Sequence, residues 1–194
     1  MNRFLCLMAC VVQLQSGLQA QEQTDAKKIQ VTGGVSLMNG TSQVGAQLSA
    51  QVGVEFSKGW TAGMGSAIDY YYFRSVPVFA EVKKYFGNGP RRLFAFAATG
   101  VNIAWPTDED QMNTSGWNII GKNDFDLGMY ADIGIGYTLY NRHQRGLFTE
   151  LGYSVKTMSE SHTEQIWNGF TTSQAQRKTD YTFNRVLIRI GYKF

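Results

Sequence analysis

Across residues 44–56 every even position is apolar (Val44, Ala46, Leu48, Ala50, Val52, Val54, Phe56), whereas the odd positions hold Gly45, Gln47, Ser49, Gln51, Gly53 and Glu55. Residues 125–139 repeat the pattern in the other phase: Phe125, Leu127, Met129, Ala131, Ile133, Ile135, Tyr137 and Leu139 alternate with aspartates, glycines, Tyr130 and Thr138. In the last stretch Val186, Ile188, Ile190, Tyr192 and Phe194 alternate with Arg185, Leu187, Arg189, Gly191 and Lys193. A period of two over such lengths means a β-strand with one apolar face. Strands of soluble proteins average about five or six residues, whereas strands of about eleven, tilted near 45°, match the thickness of a bilayer's hydrocarbon. Extended along the chain, the pattern predicts eight strands at about residues 28–38, 43–57, 60–72, 75–86, 92–103, 124–140, 146–157 and 181–194. In the fifth, Leu93, Phe94, Ala95 and Phe96 make both faces apolar and leave its polarity open.

The connections alternate in length. Those at 57–59, 87–91 and 141–145 are short; on the opposite side lie 39–42, a tight break near Phe73 and Arg74, and two long connections, 104–123 and 158–180. This layout predicts an all-β fold, an eight-stranded antiparallel up-and-down transmembrane β-barrel, with its short turns and both chain ends on one side. Aromatic residues gather at the predicted strand ends: Phe56, Trp60, Tyr85, Phe86, Tyr137, Tyr140, Tyr192 and Phe194 on the short-turn side, Tyr70, Tyr71, Tyr72, Phe73, Trp105, Tyr181 and Phe183 on the other. Two girdles of this kind are expected where a lipid-facing barrel meets headgroups. The arrangement with polar residues outside, a soluble lipocalin-like ligand-binding barrel, is the rival fold.

The first twenty residues differ from the rest. Arg3 precedes the mostly apolar run 4–14, and the segment closes on Leu18-Gln19-Ala20, the order of a secretory signal peptide. The expected division is 1–20 signal peptide, 21–27 short N-terminal segment and 28–194 barrel domain. That run is too short to span a bilayer as a helix. With no longer apolar run downstream, only a closed barrel could span. Both cysteines, Cys6 and Cys10, fall in the leader, so the exported chain has neither a disulfide framework nor a thiolate metal site. Arg3 is the leader's one basic residue, which leaves 17 Lys+Arg against 15 Asp+Glu, too even a balance for a nucleic-acid partner.

Alternation turns Glu55, Asp69, Glu81, Lys83, Asp126, Asp132, Glu150, Lys156, Arg185 and Arg189 inward. Eight strands enclose a space that side chains can fill, and charges there must pair. Glu81, Asp132, Glu150 and Arg189 are expected to form a central charge network. Ser159, His162 and Glu164 supply the residue types of a hydrolase but lie too near one another in sequence to imply a triad's geometry. Asp108, Glu109 and Asp110 lack the spacing of a calcium loop. No catalytic, metal or cofactor site is therefore expected, and no enzyme activity. Trp117, Trp167 and Phe170, on the long loops 104–123 and 158–180, are the candidates for contact with an extracellular partner.

The final segment, Arg-Val-Leu-Ile-Arg-Ile-Gly-Tyr-Lys-Phe over 185–194, resembles the terminal signal of outer-membrane barrels, and Ser-Val-Pro-Val-Phe-Ala-Glu-Val-Lys-Lys-Tyr-Phe-Gly over 75–87 is similar to a strand of small outer-membrane barrels of Bacteroidetes. The whole layout resembles that OmpA/OmpX-like family. The resemblance implies an outer-membrane location, outer-membrane lipid around the barrel, a monomer, and a barrel-assembly machinery that reads Ile190, Tyr192 and Phe194. The family shares shape more than activity. A structural or surface-interaction role is expected, ahead of a small porin-like channel and of a lipid-modifying enzyme.

Overall fold

A computed structural model describes residues 29–41, 43–57, 59–87, 89, 91–106, 119–139, 145–167 and 170–194, with backbone alone at 119–123 and 164–165. They form β1 (Ile29–Gly40), β2 (Val44–Ser57), β3 (Trp60–Asp69), β4 (Ser75–Phe86), β5 (Leu93–Ala104), β6 (Ile119–Asp126), β7 (Gly128–Thr138), β8 (Gly146–Trp167) and β9 (Thr172–Lys193). Each pairing is antiparallel, and β1 closes on β9 from Thr32↔Lys193 to Gly40↔Arg185. Both β6 and β7 lie along β8, through Asp126↔Ser159 and Tyr130↔Lys156, so they are two segments of one barrel strand. They part at Leu127, and next to it the Met129 amide donates to the Thr157 hydroxyl at 2.7 Å. The result is a closed eight-stranded antiparallel β-barrel.

Alternation decides which side chains enter. Leu37, Leu48, Met64, Ile133, Ile135 and Ile188 point outward, each more than half exposed, while Glu150, Arg185 and Arg189 point inward and are 1% exposed. This is the reverse of a soluble barrel, and an apolar belt of this extent on a water-soluble monomer would be anomalous. On β5, Phe94, Phe96 and Ala98 face inward and Leu93 outward, which fixes the polarity that its sequence leaves open.

The inward rings fit because facing positions lack side chains. A Cβ on Gly136 would overlap the Phe94 ring, and one on Gly134 would meet both Phe96 and the Leu151 carbonyl. Gly136→Val is expected to cost about 1–3 kcal/mol by overpacking, read from urea unfolding of detergent-solubilised protein. An unchanged midpoint would show that Phe94 has room to move.

Several expectations are corrected. The third strand ends at Asp69 rather than at residue 72, because residues 70–74 turn into the barrel mouth, with Tyr72 at φ 63°. Tyr71 and Phe73 are buried there and pack with Met38, Met158, Phe183 and Leu187. Tyr181 and Phe183, stacked at an interplanar angle of 3°, belong to this inner cluster and not to an outer girdle. Exposed Tyr70, Tyr72 and Trp105 mark that rim, and Phe56, Trp60, Phe86, Tyr192 and Phe194 mark the other. Tyr140 lies outside the described residues.

The expected loop 158–180 is mostly ladder: β8 and β9 pair without interruption from Gly146↔Lys193 to Trp167↔Thr172. Likewise 119–123 belongs to β6, and the rest of the expected loop 104–123 keeps 105–106 as described coil, with 107–118 outside the described residues. Past buried Met158 and Glu160 the strands no longer separate lipid from a core, so the apolar alternation stops although the hydrogen bonding continues.

Candidate functional site

The interior holds two layers of charge. In the lower one β9 supplies Arg189, whose guanidinium donates to four other strands: Nη1 to Glu150 Oε2 at 2.7 Å, Nε to Ser36 at 2.9 Å, and Nη2 to Gln47 Oε1 at 3.2 Å and Asp132 Oδ2 at 3.5 Å. Glu150 Oε1 accepts from Lys83 Nζ at 2.8 Å, and Lys83 also lies 3.1 Å from Glu81 Oε1. Gln51 donates to the other Glu81 oxygen at 3.3 Å. The Tyr130 hydroxyl donates to Asp132 Oδ2 at 2.6 Å and accepts from Gln47 at 3.2 Å. Fork geometry lets one guanidinium satisfy several acceptors at once.

The upper layer centres on Asp69. Its Oδ2 takes Arg185 Nη1 at 2.5 Å and Lys156 Nζ at 3.4 Å, and its Oδ1 accepts the Tyr71 amide at 2.8 Å. Lys156 also donates to the Tyr71 and Phe73 carbonyls at 3.0 and 3.5 Å and to Ser75 at 3.2 Å, which holds the inturned segment down. Arg185 Nη2 donates to Ser154 at 2.7 Å. Across the two layers Asp69, Glu81, Asp132 and Glu150 are matched by Lys83, Lys156, Arg185 and Arg189.

Glu81, Asp132, Glu150 and Arg189 thus meet in one cluster, with Lys83 bridging two of the carboxylates. Sequence reasoning missed the neutral members Ser36, Gln47 and Tyr130; their signal was their place on the same inward phase. It also missed Tyr71 and Phe73, for which the strand pattern holds no signal. Two inward assignments are corrected. Asp126 is exposed, because β6 stands above the barrel wall, and there it accepts Lys178 Nζ at 2.8 Å. That hydrogen bond raises the Lys178 pKa above the ordinary lysine value. Glu55 is half-buried at the short-turn rim, where its carboxylate accepts the Gly59 amide at 3.4 Å.

Among the described residues two small cavities open inside. A cavity of about 20 Å³ lies among Gln30, Thr32, Gln51, Thr61, Glu81, Lys83 and Tyr85, and one of about 10 Å³ reaches Phe94, Phe148 and Lys193. Each holds about one water. Lys83 borders both, its ammonium 5.2 and 5.3 Å from the Phe148 and Phe94 ring centres.

The remaining candidates lie apart. On β8, Ser159 and Ser161 face away from His162 by alternation, and Ser159 donates to Asp180 at 2.5 Å. Trp167 and Phe170, at the tip of the β8–β9 hairpin, are 74% and 97% exposed. Trp117, Asp108, Glu109 and Asp110 lie outside the described residues. Ile190, Tyr192 and Phe194 share the outward face of the closing strand, and the last two rings meet edge-on at 5.0 Å.

No protein-family model matches the chain, and no curated protein matches it. Among solved structures it is similar to the N-terminal β-barrel domain of Pseudomonas aeruginosa OprF, with 10% identity and a TM-score of 0.46 over 87% of this chain and 100% of that one. It is also similar to the outer membrane protein AlkL, solved in DMPC lipid bilayers, with 9% identity and a TM-score of 0.42 over 91% of this chain and 93% of that one. A de novo designed transmembrane β-barrel gives 12% identity and a TM-score of 0.40 over 90% of this chain and 100% of the design.

Proposed function

We propose that this chain is an integral outer-membrane β-barrel with a structural or surface-interaction role, monomeric and sealed rather than conducting, and without catalytic chemistry of its own. One observation carries the reading: an apolar belt surrounds an interior in which charge is paired and little space is left open. Only a hydrocarbon surrounding makes that inverted arrangement favourable, since each outward Leu, Ile or Val would otherwise lose its burial. The start of β1, the end of β9 and the short turns then face the periplasm, and the β8–β9 hairpin stands on the cell surface.

At that surface Trp167 and Phe170 are the residues offered to an extracellular partner, because large exposed rings make the strongest anchors. The alternation of Ile190, Tyr192 and Phe194 supports handling by a barrel-assembly machinery, and the 75–87 segment supports the Bacteroidetes type. Unboiled protein extracted from outer membranes is expected to migrate differently from boiled protein in a detergent gel, and to give no conductance steps in a planar bilayer. Identical migration would overturn the membrane barrel. Steady conductance would overturn the sealed interior and leave a small channel.

A further inference from the structure

We infer that the short-turn rim is a docking surface for acidic phospholipid headgroups. The inference rests on the membrane reading above and goes beyond it, because it assigns a lipid class to one end of the barrel.

Among the described residues this rim carries Lys84, Arg91, Arg92, Arg145 and Lys193, with Glu55 as its acid. Cations stand over rings of that end, Lys84 over exposed Trp60 and Arg92 over half-buried Tyr85. Lys84 is paired with Trp60 in the ladder, its ammonium 4.8 Å from the indole centre, and the Arg92 guanidinium lies 4.8 Å from the Tyr85 ring centre. Arg91 and Arg145 are exposed, and Arg92 Nε is buried with no hydrogen-bond partner among the described residues.

Rings such as Trp60 sit at headgroup level, so these cations lie at the depth of lipid phosphates. Lys84 stands on β4, Arg91 and Arg92 in the turn that follows, Arg145 just before β8 and Lys193 on β9; Arg92 and Lys193 share the Tyr85 ring, at 4.8 and 6.0 Å, whereas Lys84, Arg91 and Arg145 lie at separate places along the rim. A free anion would meet only one or two of them. A phospholipid offers its phosphate to a cation and its acyl chains to Phe56, Phe86 or Leu93 just above. The opposite end is mixed in sign: Arg177 and Lys178 stand with Asp124, Asp126 and Asp180, and Lys178 is already bridged to Asp126. The preference therefore belongs to one leaflet.

The test uses full-length refolded barrel in phosphatidylcholine vesicles carrying spin-labelled phosphatidylglycerol or spin-labelled phosphatidylcholine as a minor component. The immobilised fraction gives the relative association of each lipid. Wild type is expected to favour phosphatidylglycerol by about threefold or more at low salt, and salt should weaken the preference. K84Q/R91Q/R145Q should bring it close to parity, whereas R177Q/K178Q should leave it unchanged. Folded, heat-shifting protein with no preference, or a preference that survives the triple substitution, would overturn the inference. So would loss of the preference to inorganic phosphate at matched ionic strength, which would mark a free-anion site. Failure of the protein to heat-shift would instead count against the membrane reading.

Discussion

Replacing Glu150 by leucine is expected to lower stability in lipid by about 3–5 kcal/mol, the cost of removing one partner from a buried ionic cluster. Glu150 is where the Lys83 and Arg189 cations meet, at 2.8 and 2.7 Å. Leucine leaves both in the barrel, with Glu81 3.1 Å from the one and Asp132 3.5 Å from the other. Lys83 borders the small floor cavity and can gain a water there, which lightens its share, but Arg189 borders neither cavity. Glu150→Gln keeps an acceptor and should lose less. Adding Lys83→Met to Glu150→Leu should restore part of the loss, since the pair is then replaced by apolar volume. The measurement is urea unfolding from lipid vesicles followed by tryptophan fluorescence, and a loss near zero would mean that these ions are freely hydrated.

Ile133→Arg should cost about 2–4 kcal/mol in a bilayer. Ile133 is 63% exposed on β7, between Ala97 on β5 and Tyr153 on β8, well away from both rims. An arginine there must reach either headgroup level or a water defect through hydrocarbon. Its neighbour Asp132 points the opposite way, so Asp132→Asn alters only the interior and keeps an oxygen for the Tyr130 hydroxyl. The cost at 133 should therefore depend on bilayer thickness while that at 132 should not. Equal dependence at both positions would remove Ile133 from the lipid face.

The alternation made most of the wall legible, because a strand between hydrocarbon and a polar core must change character at every residue. The inward phases of β4, β8 and β9 put Glu81, Glu150 and Arg189 inside on that argument alone. It failed wherever that contrast ends. At Leu93, Phe94, Ala95 and Phe96 both faces are apolar, and what turns Phe94 inward is space over Gly136, a neighbour two strand segments later in the chain. In 158–167 and 172–180 lipid no longer selects one face, so a continuous ladder reads as a loop. Tyr71 and Phe73 look like a surface girdle beside Tyr70 and Tyr72, and their burial depends on Lys156, far along the chain, capping their carbonyls. The Asp126 error has the same origin, since its phase was right but its height was above the wall.

Arg189 arrives on the last strand of the chain and bonds to groups on β1, β2, β7 and β8. Until β9 is in register, Glu81, Asp132 and Glu150 have Lys83 as the cation of their layer. A barrel that closed one strand early, or with β9 slipped by one residue, would turn Arg189 toward lipid and trap unmatched negative charge inside. The core is therefore a checksum on the number and register of strands, in which wrong closures are penalised before the right one is complete.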